Sequence, residues 1–326
     1  MKIQFQVRTT MRKYLHILLA GIVLLSITSA ALADNDARCG EDGKPRIEFV
    51  ELESIKLAFN PSIPGGVVDQ GPLTVKGKLM LPAEQRCRSK KHRFPAVVIL
   101  HGSSGIDSRG DFYATELNEG GIATLEIDMW EARGVSSAAN RPALPILTYP
   151  DAFAALEFLS QLPYIDPDRI GVLGFSWGGV MTMASATEVV SQRYGADLRF
   201  AAHVANYPVC YGYNNPSLPY FSFGGQAGNP LTGAPIMIQI GEMDGYDESP
   251  APCETLKASL TNDEQAIINV VSYPGSEHAW DRLMVPITVS DSFAHLGLGG
   301  VVNLTPNVEQ AYIARQKTVR FFQRNL

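Results

Sequence analysis

The sequence predicts an α/β fold: a doubly wound, mostly parallel sheet with helices on both faces. Three observations carry that expectation. Short apolar, β-branched runs recur along the chain, helical patterns separate several of them, and the runs are continuously apolar, as strands buried on both faces are. A chain of 326 residues suits one large domain with a sizeable core, and neither an internal repeat nor a second domain is visible.

The N-terminus is read apart from that fold. Lys2, Arg8, Arg12 and Lys13 precede an apolar run over 15–30, and Ala31-Leu32-Ala33 closes it with a cleavage pattern, so 1–33 reads as a secretory signal peptide. The run is short for a bilayer span. The expectation is therefore a secreted or periplasmic protein with no membrane attachment after cleavage, beginning at Asp34. The full chain carries a formal charge of −6, and losing the four basic leader residues makes it −10. No dense Lys/Arg patch interleaved with aromatics appears, which argues against nucleic acid or an anionic membrane as partner.

After the leader, 34–72 mixes Pro, Gly and charge and reads as an extended N-terminal arm, with the main domain at 73–326. Within that domain 73–81 reads as an edge strand, followed by strands at 94–100, 122–129, 169–173, 201–207, 235–241 and 266–273. Thr148, Pro150 and Asp151 form a helix start, and Phe153, Leu156, Leu159 and Leu162 continue it with an apolar face. A glycine-rich stretch over 222–233 reads as a surface loop, and an amphipathic helix over 308–322 closes the chain.

Four cysteines, Cys39, Cys87, Cys210 and Cys253, are too widely spaced for a Cys-x-x-Cys metal or redox pattern. In an exported chain they favour two disulfides. Of three connectivities, Cys39 with Cys87 and Cys210 with Cys253 is preferred.

The chemistry centres on Gly174-Phe175-Ser176-Trp177-Gly178-Gly179, which an apolar strand enters and a small-residue segment leaves. Strand, sharp turn and helix in that order lift a serine hydroxyl above the sheet at a helix N-terminus, a nucleophile elbow. Serine needs a base to take its proton and a carboxylate to orient that base. Asp244 follows the apolar run Ile236-Met237-Ile238-Gln239-Ile240, and His278 follows Val270-Val271-Ser272-Tyr273 and the turn Pro274-Gly275. Glu242 and Asp247 compete with Asp244 for the acid role. His16 leaves with the leader, His92 sits in a basic loop, His203 lies inside a strand as a core residue, and His295 lies in a Gly-rich insertion, which leaves His278 as the candidate base. For an oxyanion, Trp177 offers one backbone N–H, and Ser103 or Ser104 in His101-Gly102-Ser103-Ser104-Gly105 offers the other.

These residues resemble the dienelactone hydrolase family of the α/β-hydrolase fold, from about Leu73 onward. The likeness rests on Asp166-Pro167-Asp168-Arg169-Ile170-Gly171 leading to the elbow, on Gly241-Glu242-Met243-Asp244, on Ala251-Pro252-Cys253, and on Tyr273 to Trp280 around His278. It implies Ser176, Asp244 and His278 as nucleophile, acid and base, and supports the Cys210–Cys253 pair. Family members that cleave dienelactone carry cysteine where this chain has Ser176, which points toward ordinary carboxylic esters. The acid loop is one residue longer than the family's, which keeps Asp247 in play. The resemblance also implies that Arg282, four positions after the histidine, and Arg133 contact a substrate carboxylate.

Trp130, Trp177 and Trp280 fall beside the site loops, with Trp280 expected against substrate. The resulting expectation is an exported serine esterase acting on a small-molecule ester through an acyl-enzyme, without metal or cofactor. An amidase or peptidase of the same fold and a non-catalytic binding shell are the alternatives. The sequence assigns no role to the insertion over 281–305, for which a lid is one option.

Overall fold

In the computed structural model, residues 46–62, 66–83, 93–218 and 221–326 are described. The segment expected to be a leader, Cys39, Cys87 with the disulfide expected between them, and His92 lie outside them. Alternation in the sequence becomes alternation in space: β3 (Phe94–Leu100), α1 (Ser108–Glu119), β4 (Ala123–Asp128), α2 (Tyr149–Gln161), β5 (Ile165–Phe175), α3 (Trp177–Ser185), α4 (Glu188–Gly195), β6 (Ala202–Asn206), β7 (Ile236–Gly241), α5 (Ala251–Ala258), α6 (Asn262–Ile267) and β8 (Ile268–Tyr273). These strands stand parallel in the order β4-β3-β5-β6-β7-β8. Successive β3 side chains feed opposite cores: Val97 and Ile99 join Tyr113 and Phe322 on one face, while Val98 and Leu100 join Phe153, Leu156 and Met181 on the other. Among the described residues, no helix is long and apolar enough to cross a membrane.

Two further strands, β1 (Arg46–Phe59) and β2 (Val67–Leu81), extend the sheet by antiparallel pairing, with Arg46 opposite Leu81 and Phe59 opposite Val67. The 73–81 segment, expected at the edge, is thus the second strand, and β1 takes the edge. Its sequence explains why it escapes notice. Charged Glu48, Glu51 and Glu53 are interspersed with apolar residues, as a strand with one solvated face requires. Leu52 is the residue β1 drives into the core, a burial that stabilises by roughly 1.5–3 kcal/mol.

At the other end, the strand expected over 266–273 starts at Ile268, because a capping box between Thr261 and Glu264 nucleates α6 immediately before it. The insertion folds as a two-stranded ribbon of β9 (Ile287–Asp291) and β10 (Gly300–Leu304). A C-terminal helix, Val308–Asn325, then returns across the sheet, capped by the Asn307 side chain. Cys210 and Cys253 are joined, tying a 3₁₀ turn after β6 to α5. Closing a loop of sequence separation 43 restricts the unfolded chain by about 4 kcal/mol on the loop-entropy account.

A buried ion pair locks the N-terminal hairpin to the body. Arg133 donates to both oxygens of Asp151 on α2, at 2.7 and 3.1 Å, and the Ser54 hydroxyl of β1 donates to the same carboxylate at 2.6 Å. Burial pushes the Asp151 carboxyl up, and the guanidinium opposes that rise. Truncating Arg133 leaves a buried carboxylate without its cation, so Arg133→Ala is expected to cost about 3–5 kcal/mol. Urea unfolding checks this, and a change within the error of the midpoint would exclude a structural role for the pair.

Candidate active site

Four loops meet at the C-terminal ends of β3, β5, β7 and β8, where open α/β sheets gather their ligands. The nucleophile candidate stands on β5's exit. Ser176 has φ 52° and ψ −107°, a conformation that side chains rarely adopt, and α3 starts at the next residue. The turn closes because glycine flanks it. A Cβ on Gly174 would lie 2.0 Å from the Gly178 carbonyl oxygen, and one on Gly178 would lie 2.2 Å from that of Leu100.

His278 bridges to Ser176 from the β8 loop. Its Nε2 lies 2.9 Å from Ser176 Oγ and its Nδ1 lies 2.7 Å from Asp244 Oδ2. The other Asp244 oxygen accepts the N–H groups of Tyr246 and Asp247, at 2.9 and 3.1 Å, which fixes the carboxylate plane. With Asp244 on Nδ1, the tautomer with hydrogen there leaves Nε2 free to accept from the serine hydroxyl. The imidazole is clamped between rings: Tyr246 lies 4.3 Å away and Tyr207 meets it edge-on at 4.7 Å.

Asp247 points elsewhere. Its two oxygens accept the backbone N–H groups of Cys210 and Tyr211, at 2.8 and 2.7 Å, so it anchors the disulfide turn instead of the imidazole. Burial, and secondarily the neighbouring Asp244 charge, push its carboxyl up to about 8, against the pull of the two amides. Glu242 contacts the Gly275 N–H on the outer side of the same loops.

The donor loop is held as firmly. Gly105 N–H closes back onto the Gly102 carbonyl, and Trp130 Nε1 donates to the Ser103 carbonyl at 3.0 Å. His101, read only as part of the glycine loop, is buried: its Nδ1 faces the Gly102 carbonyl and its Nε2 accepts from Met129 N–H. Burial pushes it down to about 4, which keeps the ring neutral and in that tautomer. At the elbow, Ser176 N–H goes to Asn206 and Gly178 N–H to His101. No described acceptor engages the Trp177, Ser103 or Ser104 N–H groups, and all three residues line cavities at Ser176.

A cavity of about 290 Å³ opens beside Ser176 and His278, lined also by Arg109, Arg282 and Asp291. Arg282 reaches it with its Nε 3.5 Å from Asp107 and its Nη1 on the Val285 carbonyl. Arg133 and Trp280, expected against substrate, are not brought there. The Arg133 guanidinium is held by Asp151, and Trp280 is fully buried, stacked on Tyr273 with Tyr207 against its edge. Spacing from the histidine placed Trp280 near the site but could not say which way the indole turns. His203 is fully buried in β6, and His295 pairs with exposed Glu248.

Sequence reasoning missed the polar layer under the imidazole. Buried Asp281 accepts from Tyr207 at 2.5 Å, from Tyr113 at 2.8 Å and from Asn206 at 2.9 Å, and Arg109 donates to the Tyr207 hydroxyl. Arg109 also grips Asp107 at 2.6 Å and lies against Gly102. These partners come from α1, β6 and the β8 loop, so no sequence motif joins them.

A sequence profile of the dienelactone hydrolase family matches residues 85–294. A Bradyrhizobium protein named "Probable 2-oxo-3-(5-oxofuran-2-ylidene)propanoate lactonase" is 25% identical over 201 residues, 58% of this chain and 74% of its own length. The crystal structure of a dienelactone hydrolase from Anabaena variabilis aligns at a TM-score of 0.51 with 18% identity, covering 87% of this chain and 99% of that one. A thermophilic carboxylesterase from a metagenomic library aligns at 0.51 with 17% identity, over 86% and 89% respectively. At such identities the structural likeness establishes the α/β-hydrolase fold.

The Asp247 environment generates a pH test. Its carboxyl binds a proton more tightly when folded than when unfolded, so the native state carries the extra proton between about pH 4 and pH 8 and stability falls as pH rises through that window. Asp247→Asn is expected to flatten this slope when urea midpoints at pH 5 and pH 8 are compared. An unchanged difference between the two pH values would rule the assignment out.

Proposed function

The chain belongs to the dienelactone hydrolase family, and from that premise we propose that it is a serine hydrolase of carboxylic esters working through an acyl-enzyme. The observation that carries the reading is the continuous hydrogen-bonded line Asp244–His278–Ser176, with spacings of 2.7 and 2.9 Å. In the first step His278 Nε2 takes the Ser176 proton while Oγ bonds to the ester carbonyl carbon. The carbonyl oxygen becomes an oxyanion facing the Trp177 N–H and that of Ser103 or Ser104. Collapse breaks the bond to the alkoxide, which leaves with the proton from imidazolium. Water then repeats the sequence on the acyl-enzyme, His278 removing its proton, to release the acid and restore the serine. Asp244 keeps the ring oriented and stabilises the imidazolium that forms in each half-reaction.

Arg282, with Arg109 behind it, gives the cavity positive charge on the side of the imidazole. An ester bearing a carboxylate suits that lining, and a lactone, as an internal ester, belongs to the same reaction class. Export to the periplasm or exterior is supported by the leader pattern and by the Cys210–Cys253 disulfide.

A fluorophosphonate probe tests the nucleophile. The wild type is expected to label, and Ser176→Ala to lose both label and ester turnover, kcat falling about 10⁶-fold as in comparable triads. A wild type that neither labels nor cleaves esters would favour a binding shell. Arg282→Ala is expected to raise KM about tenfold for esters carrying a free carboxylate and little for neutral ones. Equal effects on both substrate types would remove the anion contact.

A further inference from the structure

Taking the ester hydrolysis proposed above as the reaction, we propose that a second, small pocket at Ser176 receives the acyl group and restricts it to a few carbons, with Arg141 and Asp291 as the wall that sets the limit. Two cavities touch Ser176 and differ in chemistry. The larger one contains His278 and the arginines. The smaller, about 40 Å³, is floored by Trp177, Val180, Val209, Phe221 and Phe293 and does not include His278.

Proton traffic decides which half of the ester goes where. The leaving alkoxide must collect its proton from His278 Nε2, so the alcohol portion lies in the cavity that holds the imidazole. With the carbonyl oxygen directed at the Trp177 amide and that of Ser103 or Ser104, the acyl substituent is left facing the apolar pocket. Its size admits a methyl or ethyl group. A water needs roughly 10–15 Å³ of such volume, and an engineered cavity of about 150 Å³ takes up a benzene ring.

The wall between the cavities is built from three elements distant in sequence. Arg141 donates from Nη2 to Asp291 Oδ2 at 2.7 Å and from Nη1 to the Ala138 carbonyl, and its guanidinium lies 5.7 Å over the Trp177 ring. The Tyr246 hydroxyl donates to the same Asp291 oxygen at 3.0 Å. Asp291 ends β9, so the ribbon formed by the insertion supplies the carboxylate that closes the pocket. Val209 supports the reading independently. It holds a left-handed backbone, φ 58° and ψ 60°, which a β-branched residue strongly disfavours, and the strain places its isopropyl group in the pocket lining.

Two matched series of esters test the assignment, one with p-nitrophenol fixed and the acyl chain lengthened from acetyl to octanoyl, the other with acetyl fixed and the alcohol lengthened. Wild type is expected to prefer acetate over octanoate in kcat/KM by at least about tenfold. Arg141→Ala and Asp291→Ala, which open the wall, should raise the octanoate-to-acetate ratio about tenfold and shift the alcohol series, whose cavity they also line, by a smaller factor. Val209→Gly should raise the same ratio from the floor. There the relief of backbone strain works against the lost packing, so a folded variant remains if the wall mutants fail to accumulate. A wild type indifferent to acyl length, ratios unmoved in the folded variants, or a shift confined to the alcohol series would overturn the proposal. Absence of turnover on every ester would instead remove the esterase reading on which it rests.

Discussion

The close approach of β5, α3 and β3 at the serine turn is the constraint from which the site follows. Bare glycines at 174 and 178 let the helix start against the Leu100 carbonyl, and no other side chain has room in either place. That approach fixes where the Ser176 hydroxyl stands relative to the β3 loop, because Gly178 N–H is hydrogen-bonded to the His101 carbonyl one residue before the donor loop. It also ties the turn to β6 through Ser176 N–H and the Asn206 carbonyl. Strain at Ser176 is of order 1–3 kcal/mol, small enough for the packing of three elements to hold.

The imidazole reaches the same point by a different route. Its loop is retained by a buried carboxylate three residues on, Asp281, which receives two tyrosine hydroxyls and an amide. Asn206 takes part in both arrangements: its backbone carbonyl accepts the Ser176 N–H of the serine turn, and its side-chain Nδ2 donates to the carboxylate of the histidine loop. A polar network of this kind is stable in low dielectric only when every member is satisfied, which couples the positions of the two loops tightly. Two acids three residues apart show how environment separates roles. Asp244 is oriented by two amides and faces the ring, while Asp247 is turned toward the disulfide turn, where burial and the neighbouring Asp244 charge push its carboxyl up.

Ser176, Asp244 and His278 were legible because each follows a strand whose apolar run is local and continuous. The parallel sheet was legible for the same reason. β1 was not, since interspersed charge on a half-solvated strand resembles an irregular arm. Arg109, Tyr207 and Asp281 carry no local pattern, and their partnership exists only once α1, β6 and the β8 loop are stacked. Arg133 occupied a position that resemblance linked to substrate, but its guanidinium is claimed by Asp151.

What the sequence determined by itself is the run of parallel strands from β3 to β8, the glycine turn, and the residue types that nucleophilic hydrolysis requires, because periodicity and steric freedom are properties of neighbouring residues. The tertiary structure decided which of two nearby aspartates faces the imidazole, which arginine and tryptophan enter the cavity, and how the 281–305 segment walls it. Those outcomes depend on side-chain direction and on contacts between segments far apart in the chain, and neither is encoded in spacing.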